Sequence, residues 1–308
     1  MASDTKLPCD FADTTVLVTG GAGSVGRAFI ARLLDTDVDV VRILDSHEPS
    51  LAAMETEFGN GRLRYFVGDV RDKPRLERAM RDVDVVVHTA AMKHVDISEY
   101  NPFEAVKTNV VGLQNIVDIA IDSGAQRVIY TSSDKAVNPA NTMGTTKLLG
   151  EKLVTAGNKY SGRADLRLGS VRFGNVIGSS GSVIPLFKNQ IEDGGPVTLT
   201  HPEMSRFFIT AAGMADLLQS AIISTEGGEV FVRKMAAIRI EDLAEVMIEQ
   251  LAPAYGHSPT DIDIEVIGRR PGETTHEEIM TEREAGRALE NDDLYVVPPD
   301  GGEKYLNR

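Results

Sequence analysis

A short run in the middle of the chain carries several side chains that could move protons. Ser133, Asp134 and Lys135 stand in succession, and Lys147 follows twelve residues later. An adjacent carboxyl group and amine can act as acid and base when their surroundings shift their pKa values. Met143, four residues before Lys147, has a thioether that neither takes nor gives a proton. The sequence therefore predicts acid–base chemistry that rests on Asp134 and Lys135.

A glycine-rich segment near the N-terminus is typical of a dinucleotide-binding turn. Gly20, Gly23 and Gly26 are spaced so that bare backbone can approach a pyrophosphate. Ser24 and Val25 would then begin a helix whose unpaired N–H groups face that pyrophosphate. A glycine-rich turn without a ligand is the alternative, and the strand-like run before the segment argues against it.

A carboxylate lies where such turns hold the adenine ribose. Asp45 ends the second predicted strand nineteen residues after Gly26, and Ser46 follows it. A carboxylate there accepts hydrogen bonds from ribose hydroxyls and repels a 2′-phosphate, so we predict NAD as cofactor. NADP stays possible because Arg42 and His47 lie close by in the sequence.

Two further loops fit the same site. Asp69 and Val70 follow the third predicted strand and could reach the adenine edge. Ala90 follows the fourth strand and supplies a small side chain where the chain must pass beneath the cofactor. Plain tight packing is an equally simple explanation of the alanine.

The elements that would position these residues alternate between strand and helix patterns. The predicted strands are 15–19, 38–44, 63–67, 84–88, 127–131 and 166–173, and the predicted helices are 24–34, 102–121 and 141–160. Strands that alternate with helices of this length imply right-handed βαβ units. We therefore predict an α/β fold with a Rossmann-like, doubly wound parallel sheet in residues 1–173.

After residue 173 the elements become shorter and Gly and Pro more frequent. We predict helices at 183–192, 211–224 and 240–251, and strands at 197–199 and 229–232. This pattern predicts a smaller C-terminal α/β lobe in residues 174–308, packed at the open end of the sheet to bind substrate. Some of its segments could return to the first domain.

The charge distribution argues against nucleic acid as a partner. The net charge is −14, and residues 241–308 contribute −11 of it, with 17 Asp/Glu against 6 Lys/Arg. Binding to nucleic acid requires a basic face that neutralises phosphates. Arg outnumbers Lys 21 to 11, and together with the acidic surface this excess suggests adaptation to high salt.

Other features of the composition predict a cytoplasmic protein. No apolar run is long enough to span a bilayer, so we expect no membrane segment. The N-terminal residues lack the basic and apolar regions of an export signal. The lone Cys9 cannot form an internal disulfide, which fits a reducing compartment. We predict no metal site.

Seven segments of the chain together carry a resemblance to one known family. They are TGGAGSVG at 19–26, GDVRD at 68–72, AAMKHVDISEYNPFEAVKTNVVG at 90–112, SSDKAVNPANTMGTTKLLGEKL at 132–153, VRFGNVIGSSGSVIPLF at 171–187, HPEMSRFFIT at 201–210 and RRPGE at 269–273. With these segments in this order, the sequence resembles the UDP-N-acetylglucosamine 4,6-dehydratases of the extended short-chain dehydrogenase/reductase superfamily. The resemblance covers nearly the whole chain.

The resemblance implies a reaction on a UDP-sugar. Tightly bound NAD takes a hydride from C4, water is eliminated across C5 and C6, and the hydride returns to C6, so the cofactor is recycled. Asp134 would protonate the leaving hydroxyl and Lys135 would remove the C5 proton. That second role requires a lowered pKa of Lys135, which burial, the nicotinamide and Lys147 would favour.

The resemblance also implies contacts for the cofactor and the substrate. Lys147 would bind the nicotinamide ribose, Asn109 would lie below the cofactor, and Lys93 could bridge cofactor and substrate. The residues expected to hold the UDP-sugar are Asn175, Val183, Arg206 and Arg270. Relatives commonly assemble, so we expect a homo-oligomer.

One position departs from the superfamily pattern, which places a Tyr four residues before the Lys. A subgroup of these dehydratases, typically longer and membrane-anchored, carries Met there, and the present chain resembles their soluble catalytic part. With Met143 inert, our hypothesis is that Ser133 hydrogen-bonds O4 of the sugar while Asp134 or Lys135 receives its proton. Retention or inversion at C5 is left open.

Several of these residues have simpler alternative roles. Asp134 could form a turn, because Asn138 and Pro139 follow it. Arg206 and Arg270 could each be the partner of an intramolecular ion pair.

Two other functions fit parts of the pattern. One is a nucleotide-sugar 4-epimerase or reductase, which has no need of a second acid–base pair. The other is a catalytically inactive dinucleotide-binding regulator, which Met143 alone would favour but Asp134, Lys135 and Lys147 oppose.

Overall fold

Short runs rich in Val, Ile and Leu build the strands. The computed structural model describes residues 11–162 and 165–300, so Cys9 lies outside the described residues. The strands are β1 (Thr15–Thr19), β2 (Val40–Asp45), β3 (Leu63–Val67), β4 (Val85–His88), β5 (Arg127–Thr131), β6 (Arg167–Arg172), β7 (Asn175–Val176), β8 (Val197–Leu199), β9 (Ser205–Ile209), β10 (Val230–Arg233), β11 (Ala236–Arg239), β12 (Ile264–Val266), β13 (Leu289–Glu290) and β14 (Leu294–Val297). β4 and β5 are buried along their whole length, as expected for strands covered by helices on both faces.

Helices connect most of these strands, and several begin at a polar cap. Asp72, Asn141 and Thr210 each accept a hydrogen bond from a backbone N–H of the first turn that follows them. The helices are α1 (Ser24–Leu34), α2 (Glu48–Phe58), α3 (Lys73–Met80), α4 (Val95–Tyr100), α5 (Pro102–Val106), α6 (Gly112–Ser123), α7 (Thr142–Tyr160), α8 (Val183–Glu192), α9 (Ala211–Ser224), α10 (Ile240–Leu251) and α11 (Glu282–Ala285).

Nine strands of the described chain form one twisted sheet. Their order is β13-β14-β10-β6-β5-β4-β1-β2-β3. The pairings from β3 to β10 are parallel, whereas β14 and β13 run antiparallel at one edge. The order reverses between β1 and β4, and ligands of such sheets bind in the crevice at this point. The predicted doubly wound α/β fold is confirmed.

Helices cover both faces of this sheet. Side chains alternate along β1, so Val16 and Val18 join the apolar cluster beneath α1 and α9, while Leu17 joins the cluster beneath α3, α6 and α7. These two layers hold the carboxyl ends of the central strands at one edge. The loops that follow those ends are therefore placed side by side.

A smaller lobe packs at that edge. It contains the sheets β11-β9-β7 and β12-β8 and a separate apolar core formed with α8 and α10. Strand β9 was not predicted from the sequence. The division at residue 173 stays a prediction, while β10, β13 and β14 from the C-terminal half belong to the main sheet.

The long helix predicted at 102–121 is interrupted. It consists of α5, a π-helical turn at Lys107–Val111 and α6, and the separate helix α4 precedes it. A π-helical turn inserts one extra residue and often lies near a functional site. The apolar spacing predicts a single helix over this stretch and gives no sign of the π-helical turn.

Candidate active site

A cavity of about 930 Å³ opens at the carboxyl edge of the main sheet and extends into the smaller lobe. Its volume falls in the range of ligand sites. Most of the predicted site residues line it, namely Gly20, Gly23, Ser24, Val25, Asp45, Ser46, Asp69, Val70, Ala90, Lys93, Ser133, Asp134, Lys135, Met143, Lys147, Asn175, Val183, Arg206 and Arg270. Gly26 and Asn109 lie behind this wall.

The glycine-rich turn leaves no room for side chains. Gly20 has φ +66°, and a Cβ there would lie 2.6 Å from the backbone of Ala90. A Cβ on Gly26 would lie 2.5 Å from Cα of Gly21, so α1 can approach the turn only with glycine at this position. Gly23 caps α1 without a side-chain hydrogen bond. The turn therefore presents bare backbone and a helix N-terminus, which suits a pyrophosphate.

Asp45 organises the loop after β2. Its Oδ2 accepts a hydrogen bond of 3.1 Å from Ala22 N, and its Oδ1 accepts one of 2.9 Å from His47 N. The carboxylate thus fixes the glycine-rich turn while it also lines the cavity beside Ser46.

The loop after β3 carries a carboxylate that is already paired. Arg71 Nη2 lies 2.6 Å from Oδ2 of Asp69, and Arg71 also contacts Glu104. The hydrogen bond from Arg71 holds the pKa of Asp69 below its usual value. Val70 is buried, and its side chain lies where a Cβ on Gly112 would collide with it.

Lys93 joins the two lobes across the cavity. Its Nζ donates a hydrogen bond of 2.9 Å to the carbonyl oxygen of Ser180, and burial lowers its pKa. The backbone N–H of Ser180 in turn donates to Oγ of Ser24 at 3.3 Å. The loop around Ser180 is therefore tied directly to the glycine-rich turn.

Asn109 supports the cavity wall from behind. Its amide pairs with both the N–H and the carbonyl of Met92, at 2.8 and 3.0 Å, and donates to Oγ1 of Thr146 at 2.9 Å. The π-helical turn aims this side chain at the loop after β4. Its predicted contact with a cofactor stays a prediction.

The residues predicted to transfer protons lie in a tight turn directly after β5. Asp134 is buried, and its Oδ1 accepts hydrogen bonds from Ser133 Oγ at 2.8 Å and from Lys135 Nζ at 3.0 Å. Its Oδ2 is buried without a hydrogen-bond partner among the described residues. A buried carboxylate oxygen of this kind needs an explanation, and a hydroxyl or proton supplied by a bound ligand would satisfy it.

The sequence reasoning missed a second carboxylate beside Lys135. Oε1 of Glu277 lies 3.3 Å from Lys135 Nζ, and the Glu277 side chain is 7% exposed. Glu277 also lines the cavity. It follows Lys135 by 142 residues, so no local spacing could connect the two. The cluster of acidic residues around 273–278 was the only signal of it in the sequence.

The two carboxylates overturn the predicted pKa of Lys135. Burial lowers this pKa, but the charges of Asp134 and Glu277 outweigh burial and raise it above its usual value. In the free protein Lys135 is therefore protonated, and the prediction of a lowered pKa was wrong. The prediction considered burial and the positive neighbours of Lys135 but left out the two carboxylates.

Met143 and Lys147 lie one turn apart on the buried face of α7. Met143 lines the cavity at the position where the superfamily pattern has a Tyr. Lys147 Nζ donates a hydrogen bond of 2.8 Å to the carbonyl oxygen of Thr131 and lies 4.9 Å from the centre of the Tyr130 ring. Burial lowers its pKa to about 8, and Glu151 opposes this shift.

The two arginines predicted to hold the UDP-sugar differ in their surroundings. Arg206 is buried, and its guanidinium donates to backbone carbonyls of Ser205, Thr274 and Thr275. Arg270 is exposed on the cavity rim. Substrate contact stays a prediction for both residues.

The glycine-rich turn, the crevice at the reversal point and Asp45 together define a protein with a Rossmann-type fold and a site that suits a dinucleotide. Residues 16–299 match the family described as polysaccharide biosynthesis protein. The chain belongs to this family. No helix of the described residues is long and apolar enough to cross a membrane.

Three relatives are similar over most of the chain. An uncharacterized membrane protein of Methanocaldococcus jannaschii is 50% identical over 96% of this chain and 89% of its own. A UDP-N-acetylglucosamine 4,6-dehydratase (inverting) of Campylobacter jejuni is 40% identical over 94% of this chain and 84% of its own. A UDP-glucose 4-epimerase of Rickettsia massiliae is 38% identical with the same coverage. The resemblance to the dehydratases is confirmed, and an epimerase is nearly as similar.

Two solved structures share the fold. Pen from Bacillus thuringiensis superimposes with a TM-score of 0.91 at 42% identity, covering 94% of this chain and 89% of the other. DesIV from Streptomyces venezuelae, a dTDP-glucose 4,6-dehydratase with NAD bound, has a TM-score of 0.77 at 25% identity, covering 91% and 93%.

Proposed function

We propose that the protein is a UDP-N-acetylglucosamine 4,6-dehydratase that forms a UDP-4-keto-6-deoxy sugar. The observation that carries the proposal is the acid–base pair Asp134 and Lys135, which lies in the cavity beside Met143. Elimination of water requires an acid and a base in addition to the group that serves oxidation at C4, whereas a simple dehydrogenase requires no such second pair. The 40% identity to a dehydratase of this name supports the substrate.

We propose NAD as the cofactor. The side-chain-free turn at Gly20 and Gly23 fits a pyrophosphate, and Asp45 fits the hydroxyls of an adenine ribose. When bound, the nicotinamide would take a hydride from C4 and return it to C6, so the cofactor would stay bound and be recycled. Lys147, buried beside the cavity, would hold the nicotinamide ribose.

Asp134 is proposed to carry out two proton transfers. Its Oδ1 pairs with Lys135, and its Oδ2, which has no hydrogen-bond partner among the described residues, can accept a proton. It takes the O4 proton, with Ser133 as a hydrogen-bond partner of O4. In this step it has the role that a tyrosine at position 143 would have in the superfamily pattern. It then gives this proton to the departing C6 hydroxyl. Lys135 removes the C5 proton and later returns a proton to C5, so the protons balance over one cycle.

The lobe residues are proposed to hold the UDP group. Asn175 and Val183 line the cavity on the side of the smaller lobe, and Arg270 lies on its rim. An exposed guanidinium can grip a diphosphate in bidentate fashion. Arg206 would contribute mainly its charge, since three of its N–H groups already donate to backbone carbonyls.

A 4-epimerase is the second candidate, and the relative of that name at 38% identity favours it. Mass spectrometry of purified protein incubated with UDP-N-acetylglucosamine separates the two. We expect a product that has lost one water and, in D₂O, has gained deuterium at C5. An unchanged mass with an altered sugar would establish the epimerase, and no product at all would support a regulator.

Replacing Asp45 with asparagine is expected to weaken discrimination against NADP. The amide keeps an oxygen that can accept from Ala22 N but removes the charge that repels a 2′-phosphate. Calorimetric titration of cofactor-free protein should show the ratio of Kd values for NADP and NAD falling by about tenfold. Asp39→Asn, an exposed change outside the cavity, is the control. An unchanged ratio would show that Asp45 does not contact the ribose.

A further inference from the structure

The segment around residues 272–279 places Glu277 beside Lys135 and Asp134. Lys135 Nζ lies between Oδ1 of Asp134 at 3.0 Å and Oε1 of Glu277 at 3.3 Å. The Asp134 and Glu277 side chains are 1% and 7% exposed, and Lys135 is 17% exposed. A single ammonium thus separates two carboxylates that water barely reaches.

Of the two cations that lie beside Glu277 in the described chain, Lys135 is nearer than Arg206. Nε of Arg206 lies 4.0 Å from Oε1 of Glu277, beyond hydrogen-bond distance. The terminal nitrogens of Arg206 donate instead to backbone carbonyls of its own strand and of residues 274–275. The charged groups that face Lys135 are therefore Asp134, Glu277 and, at longer range, Arg206.

The position of Glu277 is fixed from several sides. Asn141 Nδ2 donates to the carbonyl oxygen of Gly272 at 2.9 Å, and Asn138 Nδ2 donates to Glu278 at 2.6 Å. Further along, Arg172 Nη1 donates to the carbonyl oxygen of Ile279 at 2.9 Å. The segment that carries Glu277 is therefore anchored to the loop that carries Asp134 and Lys135 and to the neighbouring strand β6.

We propose, on the basis of the dehydratase function above, that Glu277 is the proton acceptor for Lys135. Once Asp134 has taken the O4 proton, Glu277 is the remaining carboxylate beside the ammonium. An N–H bond of Lys135 breaks and an O–H bond of Glu277 forms, with no change in oxidation state. The neutral amine then takes the C5 proton, and after that proton has been returned to C5, Glu277 gives its own proton back to Lys135.

This role also explains how a protonated lysine can serve as a base without Tyr. Two carboxylates and one amine give the O4 proton and the C5 proton separate acceptors. Each group returns to its starting charge at the end of the cycle. Glu277 acts through Lys135 and is a positioning and relay residue, because nothing requires it to touch the sugar.

The test compares Glu277→Gln with Glu278→Gln, which removes the same charge from the exposed neighbouring residue. The first readout needs no substrate. Competitive acetylation across a pH series, followed by peptide mass spectrometry, gives the titration curve of Lys135. Glu277→Gln should move that curve to lower pH, since the carboxylate that raises the pKa of Lys135 is gone, and Glu278→Gln should leave it in place. Identical curves in the two variants would overturn the proposal.

The second readout is turnover. Glu277→Gln should lower kcat for dehydration by about 10²-fold and slow C5 deuterium uptake to the same extent, with KM nearly unchanged. Its kcat should rise with pH, because hydroxide then deprotonates Lys135 in place of Glu277, and Glu277→Asp should recover part of the rate. Normal dehydration by Glu277→Gln would refute the relay alone, whereas no dehydration by the unmodified protein would refute the dehydratase function.

Discussion

Replacing Lys135 with arginine is expected to stop C5 deuterium uptake and dehydration while leaving the protein folded. The guanidinium keeps a positive charge between Asp134 and Glu277, so the buried carboxylates remain paired. It cannot lose a proton at any accessible pH, and therefore it cannot act as a base. We expect kcat to fall by about 10²- to 10⁴-fold, the range found when a general base is lost.

The variant is incubated with UDP-N-acetylglucosamine in D₂O, and mass spectrometry measures the deuterium incorporated into the product. Lys152→Arg, on the exposed face of α7, is the matched control and should keep the native rate. Lys135→Ala serves as a second comparison and should also lower stability, because Asp134 and Glu277 would face each other without a cation. C5 exchange at the native rate in Lys135→Arg would assign the base to another residue.

The sequence predicted the central sheet because its signals are local. Helix α1 was predicted with both ends correct, since apolar spacing and the preceding glycines define it within eleven residues. Strands β1, β3 and β5 were also predicted with their observed bounds. The pattern at 102–121 predicted helix correctly but gave no sign of the π-helical turn at Lys107–Val111 that aims Asn109. That turn depends on contacts with α7 and the loop after β4, which lie outside any short window.

The candidate site was predicted to a smaller extent, because its charges come from distant parts of the chain. The local run gave Asp134 and Lys135, but the pKa of Lys135 also depends on Glu277, which only the fold brings near. The pKa prediction for Lys135 was wrong because it left out both carboxylates, Asp134 beside it in the sequence and Glu277 beside it only in the fold. A pKa depends on every charge within a few ångströms, and a sequence lists only neighbours along the chain.

The same limit applies to a buried charge cluster beneath the site. Arg172 on β6 is 1% exposed and pairs with Glu151 of α7 at 2.7 Å and with Glu284 of α11 at 3.1 Å. Ser132 donates to Glu151 at 2.6 Å, which joins the cluster to the loop that carries Asp134. Glu284 also completes a capping box at the start of α11. This arrangement connects the main sheet, α7 and the C-terminal segment at one point.

Replacing Arg172 with methionine is therefore expected to lower the free energy of unfolding by about 3–5 kcal/mol, because two buried carboxylates lose their cation. Urea unfolding followed by circular dichroism measures the change. Arg283→Met removes an exposed arginine that pairs with Asp300, and it should cost no more than about 0.5 kcal/mol. A loss as small as that of Arg283→Met would show that the cluster contributes little to stability.

The pH dependence of this loss follows from Glu284. Burial raises the pKa of Glu284, but hydrogen bonds and charge from Arg172 outweigh burial and lower it below its usual 4.5. Its contribution to stability is thus present above pH 4.5 and disappears as the pH falls through the lowered value. Without Arg172, burial is opposed only by the hydrogen bonds from Thr281, so protonation of Glu284 relieves the variant. The difference between Arg172→Met and the native protein should therefore be largest near neutral pH and shrink as the pH falls below 4.5.

Adding Glu151→Gln and Glu284→Gln to Arg172→Met should restore part of the stability at neutral pH, since the uncompensated charges are then gone. A further loss in that triple variant would show that shape, rather than charge, is what Arg172 supplies.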